Sequence, residues 1–339
     1  MPDLKNTPVS VLDLANIIQG DQSANDAFKR SVTFAQHAER LGYKRYWFAE
    51  HHNMESVASA ATAVLIGHVA GHTTSIRVGS GGIMLPNHAP LIIAEQFGTL
   101  ASLYPGRIDL GLGRAPGTDQ PTAYALRRNL HGEVDAFPND VQELLQYLGP
   151  EEKQGRMKAI PGVGTNVPVW LLGSSTFSAQ LAAKLGLPFA FASHFSPAQL
   201  FPALQLYHAN FQPSIYLSAP LTMACVNVIA ADTDEEAQYL ATSLKQLALG
   251  LIRNRRRPLQ PPVEDMDQLW SPEERAAVEQ MFHYSFVGSK ETLTNELADF
   301  VRNTGVNELM IATHIYDVET KLKSLEISAS LFQHTNIAV

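Results

Sequence analysis

The sequence predicts an α/β protein folded as a (β/α)8 TIM barrel, with an insertion between its seventh and eighth strands. Three observations lead there. Short apolar strands alternate with longer helical patterns almost from end to end of the 339 residues. The strands are apolar on both faces, as a parallel sheet covered by helices requires. Eight such units suit a closed barrel of this length, although pattern alone leaves an open doubly wound sheet as the alternative.

Taken in order, "VSVLDL" (9–14) is the first strand. A helix over 24–41 follows, with Ala27, Phe28, Ser31, Val32, Ala35, Ala38 and Leu41 on one face and Gly42 closing it. "RYWFA" (45–49) is the second strand, and an alanine-rich helix covers 58–75. "IRVGSGGIML" (76–85) is the third strand; the next helix, 90–103, starts on Pro90, which suits a first turn. Strands continue at 107–113, 167–172, 189–192, 222–231 and 308–313, with helices at 137–148, 175–186, 197–210, 234–250 and 317–333. Two connections exceed the ordinary length, 114–136 and 250–288. The expectation is one domain over 1–339, within which the 250–288 insertion is a candidate lid.

Composition narrows the class of protein. With 45% hydrophobic and 17% charged residues the chain can bury a barrel-sized core. A formal charge of −8, with no basic run longer than "RNRRR" (253–257), argues against nucleic acid or an anionic membrane as partner. That arginine cluster reads as a solvated loop or an anion contact. Cys225 is the single cysteine, so no internal disulfide forms and a reducing cytoplasm is the expected home. The N-terminal stretch lacks a signal-peptide pattern, and nowhere do about 18 apolar residues run unbroken.

In a barrel of this kind the working face is the C-terminal end of the strands. Unusual residues gather at that end. The second strand runs into Glu50, His51 and His52. Adjacent strand-end residues point to different sides, so the two histidines are not expected to share a metal, and no metal site is predicted. His68 and His72 are four apart on a helix but lack the glutamate of H-E-x-x-H. A histidine at the mouth reads either as a general base or as a plain hydrogen-bonded residue. The third strand carries Ser80, Gly81 and Gly82. Glycines inside a strand are costly, and fit where a planar ring approaches the backbone or where a bulge is needed. Arg114 follows the fourth strand, where a guanidinium either grips a phosphate or pairs with an acid such as Asp119. After the fifth strand, Gly173, Ser174, Ser175 and Ser178 open an alanine-rich helix. That start is either a phosphate site or a plain N-cap. Neither glycine-rich stretch is a dinucleotide fingerprint, since Met84 and Pro116 stand where the last glycine is required.

Taken together, "YWFAEHHNM", "VGSGGIMLPNHAP", "GLGRAPGTD" and "VPVWLLGSSTFSAQ" closely resemble the bacterial-luciferase-like flavin-dependent monooxygenases, in their non-luminescent oxidoreductase branch. The resemblance spans Val9 to about Leu331. It implies a (β/α)8 barrel that binds FMN at its C-terminal mouth, with the deazaflavin F420 as the less favoured cofactor. By the same resemblance the family's catalytic histidine falls on His51, beside His52 and Glu50. The family's non-proline cis peptide falls on Gly81–Gly82, and its phosphate contacts on Arg114 and on Ser174 to Ser178. Luciferase proper has alanines at the pair matching Gly81–Gly82 and a cysteine matching Gly113, which speaks against light emission. The implied reaction is oxidation of a small organic substrate by reduced FMN and O2 through a peroxyflavin. A separate flavin reductase would supply the reduced cofactor, and a homodimer is the family's common state. F420-dependent hydride transfer and non-catalytic flavin binding are the alternatives.

Overall fold

The protein is described from a computed structural model, which covers residues 3–115, 118–126 and 133–332. Pro116, the middle of the 114–136 connection and the last residue of the helix expected over 317–333 lie outside the described residues. From the N-terminus the elements are β1 (Val9–Asp13), α1 (Ala24–Arg40), β2 (Arg45–Phe48), α2 (Thr62–Gly71), β3 (Arg77–Met84), α3 (Pro90–Leu103) and β4 (Ile108–Gly113). The middle of the chain forms α4 (Gln120–Leu126), α5 (Glu133–Leu148), β5 (Val169–Gly173), α6 (Thr176–Leu185), β6 (Phe189–Phe191), α7 (Leu200–Asn210) and β7 (Thr222–Ala230). Then come α8 (Asp234–Ile252), α9 (Pro272–Met281), β8 (Ser285–Gly288), α10 (Lys290–Thr304), β9 (Glu308–Ala312) and α11 (Val318–Phe332).

Strands β1 to β7 and β9 close into a ring of eight, all parallel, with β9 paired to β1 through Val9↔Leu309 and Val11↔Ile311. The expected barrel is therefore the observed one. Strand β8 was not expected. It lies outside the ring, paired with the far half of β7 through Asn227↔Ser285 and Ala230↔Gly288. Helix α10 was also not expected, and it carries the chain from β8 back to β9. Helix α2 is shorter than the 58–75 pattern suggests. The Glu39 carboxylate accepts the N–H groups of Thr74, Ser75 and Ile76 at 2.5–2.9 Å, which holds that stretch as a turn feeding β3. No helix among the described residues is long and apolar enough to cross a membrane.

Alternation along each strand separates two cores. Outward residues such as Val11, Tyr46, Phe48, Val78, Leu110, Leu171 and Val226 join the large layer under the helices. Inward residues fill the barrel in tiers. At the N-terminal end, Arg45 pairs with Asp109 (2.7 Å) and Glu308 (2.8 Å), all three buried. Above them Trp47 and Trp170 meet edge to face with centroids 5.6 Å apart. Cys225 lies in this inner core, where burial pushes its thiol up and leaves it a small apolar filler. Toward the C-terminal end the inward positions shrink to Ala49, Gly81, Gly111, Gly113, Ala190 and Ala312. The barrel is plugged by charge below and floored by indoles.

Candidate active site

Strand β2 delivers the first functional group. Tyr46 and Phe48 anchor its outer face and Trp47 its inner one, all fully buried, so the chain can turn polar only where the strand leaves the barrel. The first residue there that can ionise is Glu50, which is 1% exposed. Its Oε1 meets His52 Nε2 and His88 Nε2, each at 2.8 Å, and its Oε2 accepts the Met84 N–H at 3.1 Å. Burial by itself would raise this carboxyl. The bonds from His52 and His88, the charge of His88 and the Met84 N–H outweigh it and hold the group at about 2. An ionised carboxylate only accepts hydrogen bonds, so both Nε2 atoms carry hydrogen.

His51 lies close enough to His194, in the connection after β6, for its charge to act on that ring. Burial drives His194 down to about 3, with His314 and His51 adding to the effect. His314, after β9, is held at about 4 by burial and by the charge of Lys321. The mouth thus carries one carboxylate-tethered imidazole pair and one neutral imidazole pair. Among the described residues, Glu50, His52 and His88 are the cluster with metal-ligand chemistry, and their 2.8 Å separations are those of hydrogen bonds.

The glycines of β3 resolve both readings of their cost. Register with β4 runs Ser80↔Leu110 and then Ile83↔Leu112, so β3 carries one extra residue, a bulge. The Gly81–Gly82 peptide bond within it is cis. The Ser80 hydroxyl donates to Gly111 O (2.9 Å) and accepts the Gly111 N–H (3.0 Å), so it is spent on the sheet at the bulge. Gly81 faces the barrel interior, where a Cβ would lie 2.8 Å from Leu12 Cδ1 and 3.2 Å from the Trp47 ring. Gly82 faces β4, where a Cβ would lie 2.9 Å from Gly111 O and 3.1 Å from its carbonyl carbon. The two substitutions should therefore differ. Gly82→Ala forces main chain apart and is expected to cost about 1–3 kcal/mol, whereas Gly81→Ala meets the end of a flexible side chain and is expected to cost under about 1 kcal/mol. Urea unfolding of the two variants measures the difference.

Arg114 and the serine loop come together. The Arg114 guanidinium stacks on the Phe177 ring, 4.0 Å from its centroid, and Phe177 lies in the first turn of α6. The alternative partner, Asp119, instead accepts Asn53 Nδ2 at 3.1 Å, and no acid pairs with Arg114 among the described residues. Ser175 stands at the N-cap position of α6 without a side-chain cap bond, so the plain capping role is not taken up. Gly173 is required by packing, since a Cβ there would sit 2.8 Å from Ser178 Cβ. A stacked cation, free serine hydroxyls and the open N–H groups of a helix start converge on one place. The loops are also tied across the mouth, with Thr118 Oγ1 donating to His52 O at 3.2 Å. Sequence reasoning missed His88 and Phe177. Both sit inside motifs it had singled out, but their partners are 38 residues away for His88 and on a different strand end for Phe177.

The fold and site define a parallel eight-stranded α/β barrel whose C-terminal mouth carries a stacked guanidinium at a helix start and a buried carboxylate–imidazole network. The profile of the luciferase-like monooxygenase family matches residues 7–308, and the chain belongs to that family. It is 52% identical to a luciferase-like monooxygenase of Escherichia coli (strain K12), covering 96% of each chain. It is 32% identical to the N-acetyl-S-alkylcysteine monooxygenase of Bacillus subtilis (strain 168), over 94% of this chain and 96% of that one. Among solved structures, apo-MsnO8 superposes with a TM-score of 0.90 at 34% identity, over 96% of this chain and 98% of that one. The same fold recurs at 17% identity in the oxygenating constituent of 3,6-diketocamphane monooxygenase from Pseudomonas putida in complex with FMN (TM-score 0.72, 96% and 97% covered). It recurs at 16% identity in an F420-dependent secondary alcohol dehydrogenase (TM-score 0.65, 96% and 98% covered).

Proposed function

We propose that the chain is an FMN-dependent monooxygenase that oxidises a small organic molecule, using reduced flavin delivered by a separate reductase. The observation that carries this reading is the cradle made by Arg114, Phe177 and the uncapped start of α6, at the same end of the strands as the Gly81–Gly82 bulge and the Glu50 network. A phosphate suits the cradle, and a flat ring is the partner proposed for the glycine-bearing strand end beside it. When bound, the reduced flavin supplies two electrons to O2, so that one oxygen atom enters the substrate and the other leaves as water.

The protein's own share is positional. Arg114 and the α6 N–H groups hold the phosphate, and the cis Gly81–Gly82 bulge admits the ring edge. Glu50 fixes His52 and His88 with hydrogen on Nε2, and His51 is the imidazole assigned to exchange a proton at the reacting atoms. His194 and His314 stay neutral and add no competing charge. The segment 250–288 is the proposed lid. Its Leu259 exchanges main-chain bonds with Ile17 (2.8 Å) and Gln19 (2.9 Å), in the loop after β1. Neither glycine-rich stretch completes a nicotinamide fingerprint, which motivates the reductase. Val64 on α2 and Leu103 on α3, 71% and 63% exposed, support a homodimer. The single cysteine suits a reducing cytoplasm.

Titration with FMN, riboflavin and F420 tests the reading. FMN should bind more tightly than F420. Arg114→Ala should weaken FMN by roughly 10- to 100-fold and leave riboflavin, which lacks the phosphate, nearly unchanged. A preference for F420, or an equal loss for riboflavin, would overturn it.

A further inference from the structure

The arginine cluster at 253–257 lies in the segment proposed as the lid, but none of its residues is among the cofactor contacts proposed above. It lies in the insertion, where α8 ends, and it walls a cavity of about 180 Å3. Its arginines differ in their surroundings. Arg253 is committed to structure, with Nε and Nη2 each 2.7 Å from the Glu274 carboxylate and Nη2 donating to Leu269 O at 2.8 Å. Arg255 and Arg257 also line the cavity, yet neither has a side-chain hydrogen bond or a carboxylate partner among the described residues. Among the described residues no acidic side chain lines the cavity, although the chain as a whole carries a charge of −8.

The loop that presents these arginines is braced. Arg255 N donates to Gly250 O at 2.7 Å, and Val263 N donates to Thr242 Oγ1 at 2.8 Å. Gln246 Nε2 holds Pro261 O at 2.8 Å, and Leu259 is bonded to the loop after β1 on both its N–H and its C=O. A solvated arginine loop needs no such bracing and encloses no volume. The rest of the lining combines apolar Leu247, Leu249, Pro258 and Leu269 with Gln246 and Gln260, whose amide N–H groups are spent on Pro261 O and Pro258 O. Two unpaired guanidinium groups against an apolar wall recognise an anionic head on an apolar body, because guanidinium matches carboxylate and phosphate oxygens with paired donors.

We propose that this cavity is a second ligand site, which takes a small organic anion through Arg255 and Arg257. The site is independent of the flavin reading and shares no residue with the barrel mouth. The test is calorimetric titration of the full chain with phenyl phosphate, benzoate, inorganic phosphate and neutral benzyl alcohol, with and without excess FMN. The expected result is saturable binding of phenyl phosphate or benzoate that excess FMN leaves in place. That binding should weaken by roughly tenfold or more in the Arg255→Ala/Arg257→Ala double variant. Comparing the two aromatic probes tells a phosphate head from a carboxylate one. Both substituted side chains are exposed and have no partner among the described residues, so the variant should keep the parent's urea midpoint, which shows that it is folded. Three outcomes would overturn the proposal: no saturable binding of either aromatic anion, equal affinity in the double variant, or displacement by FMN, which would place the probe at the barrel mouth. Inorganic phosphate or benzyl alcohol binding as tightly as the aromatic anions would also refute it, since either the apolar wall or the charge would then be idle.

Discussion

Replacing Glu50 by alanine is expected to cost about 3–5 kcal/mol of stability, because it strips the partner from two imidazoles and a main-chain N–H at once. The carboxylate is 1% exposed and accepts all three bonds, so water cannot take its place without opening the strand end. Activity should fall further than stability. Both rings lose the carboxylate that fixes them, and misplaced acid–base groups typically cost 100- to 10,000-fold, a range taken here as an order of magnitude. Glu50→Gln separates shape from charge. Its amide can accept one imidazole N–H but presents its own hydrogens to the other, so an intermediate loss is expected. The pH dependence follows from the depressed carboxyl, held at about 2 against an ordinary 4.5. Such a group contributes its full stabilisation above its unfolded value and loses it as pH falls toward the folded one. The gap in unfolding free energy between the parent chain and Glu50→Gln should therefore be widest near neutrality and close between about pH 4.5 and 2. Urea titrations across that range measure it. An unchanged gap at acid pH would mean that the carboxylate is not the keystone of the mouth.

That network marks the limit of what local pattern can convey. "RYWFAEHHNM" announces a strand that ends in ionisable groups, and the structure confirms that the aromatics are strand core. The partner of Glu50 in β3's following turn, His88, is fixed by tertiary packing alone, and nothing in "MLPNHAP" distinguishes it from a loop histidine. The helix Pro90–Leu103 was legible to the residue, since proline fits its first turn and its apolar face is continuous. Strand β8 was not legible, because four residues with an alternating half-buried pattern carry too little periodicity to stand out from a loop. Helix α10 was missed for a different reason. Its stripe of Leu293, Leu297, Phe300, Val301 and Thr304 has helical spacing, and Gly305 ends it in the left-handed region at φ 67°. The signal was present but lay in the shadow of the long preceding insertion. At β3, the glycine pair pointed to a bulge or a ring. The bulge is observed, with the cis peptide inside it.

Arg45→Met should damage the fold from the other end of the barrel, at about 3–5 kcal/mol. Arg45 enters at the start of β2 and ties β2, β4 and β9 together from inside the barrel, through Asp109 at 2.7 Å and Glu308 at 2.8 Å. Its guanidinium also lies 5.0 Å from the Trp170 ring centroid, so it supports the indole floor from below. Methionine fills comparable space but leaves two buried carboxylates short of a counter-charge. They are not wholly abandoned. Asp109 keeps Arg77 (2.5 Å) and the Trp47 indole N–H (3.2 Å), while Glu308 keeps Lys44 (3.0 Å) and the Ser10 hydroxyl (2.6 Å). This residual satisfaction argues for the lower half of the range. It also yields a sharper test than the single variant. If the cost is that of uncompensated charge, adding Glu308→Gln to Arg45→Met should recover part of the loss, although Glu308→Gln alone destabilises the parent. If the cost is lost packing around the two tryptophans, the second change should add to the first. A double-mutant cycle in urea distinguishes the two. In both cases the protein that remains folded should bind FMN with parent affinity, because Arg45 stands at the opposite end of the strands from Arg114 and the start of α6.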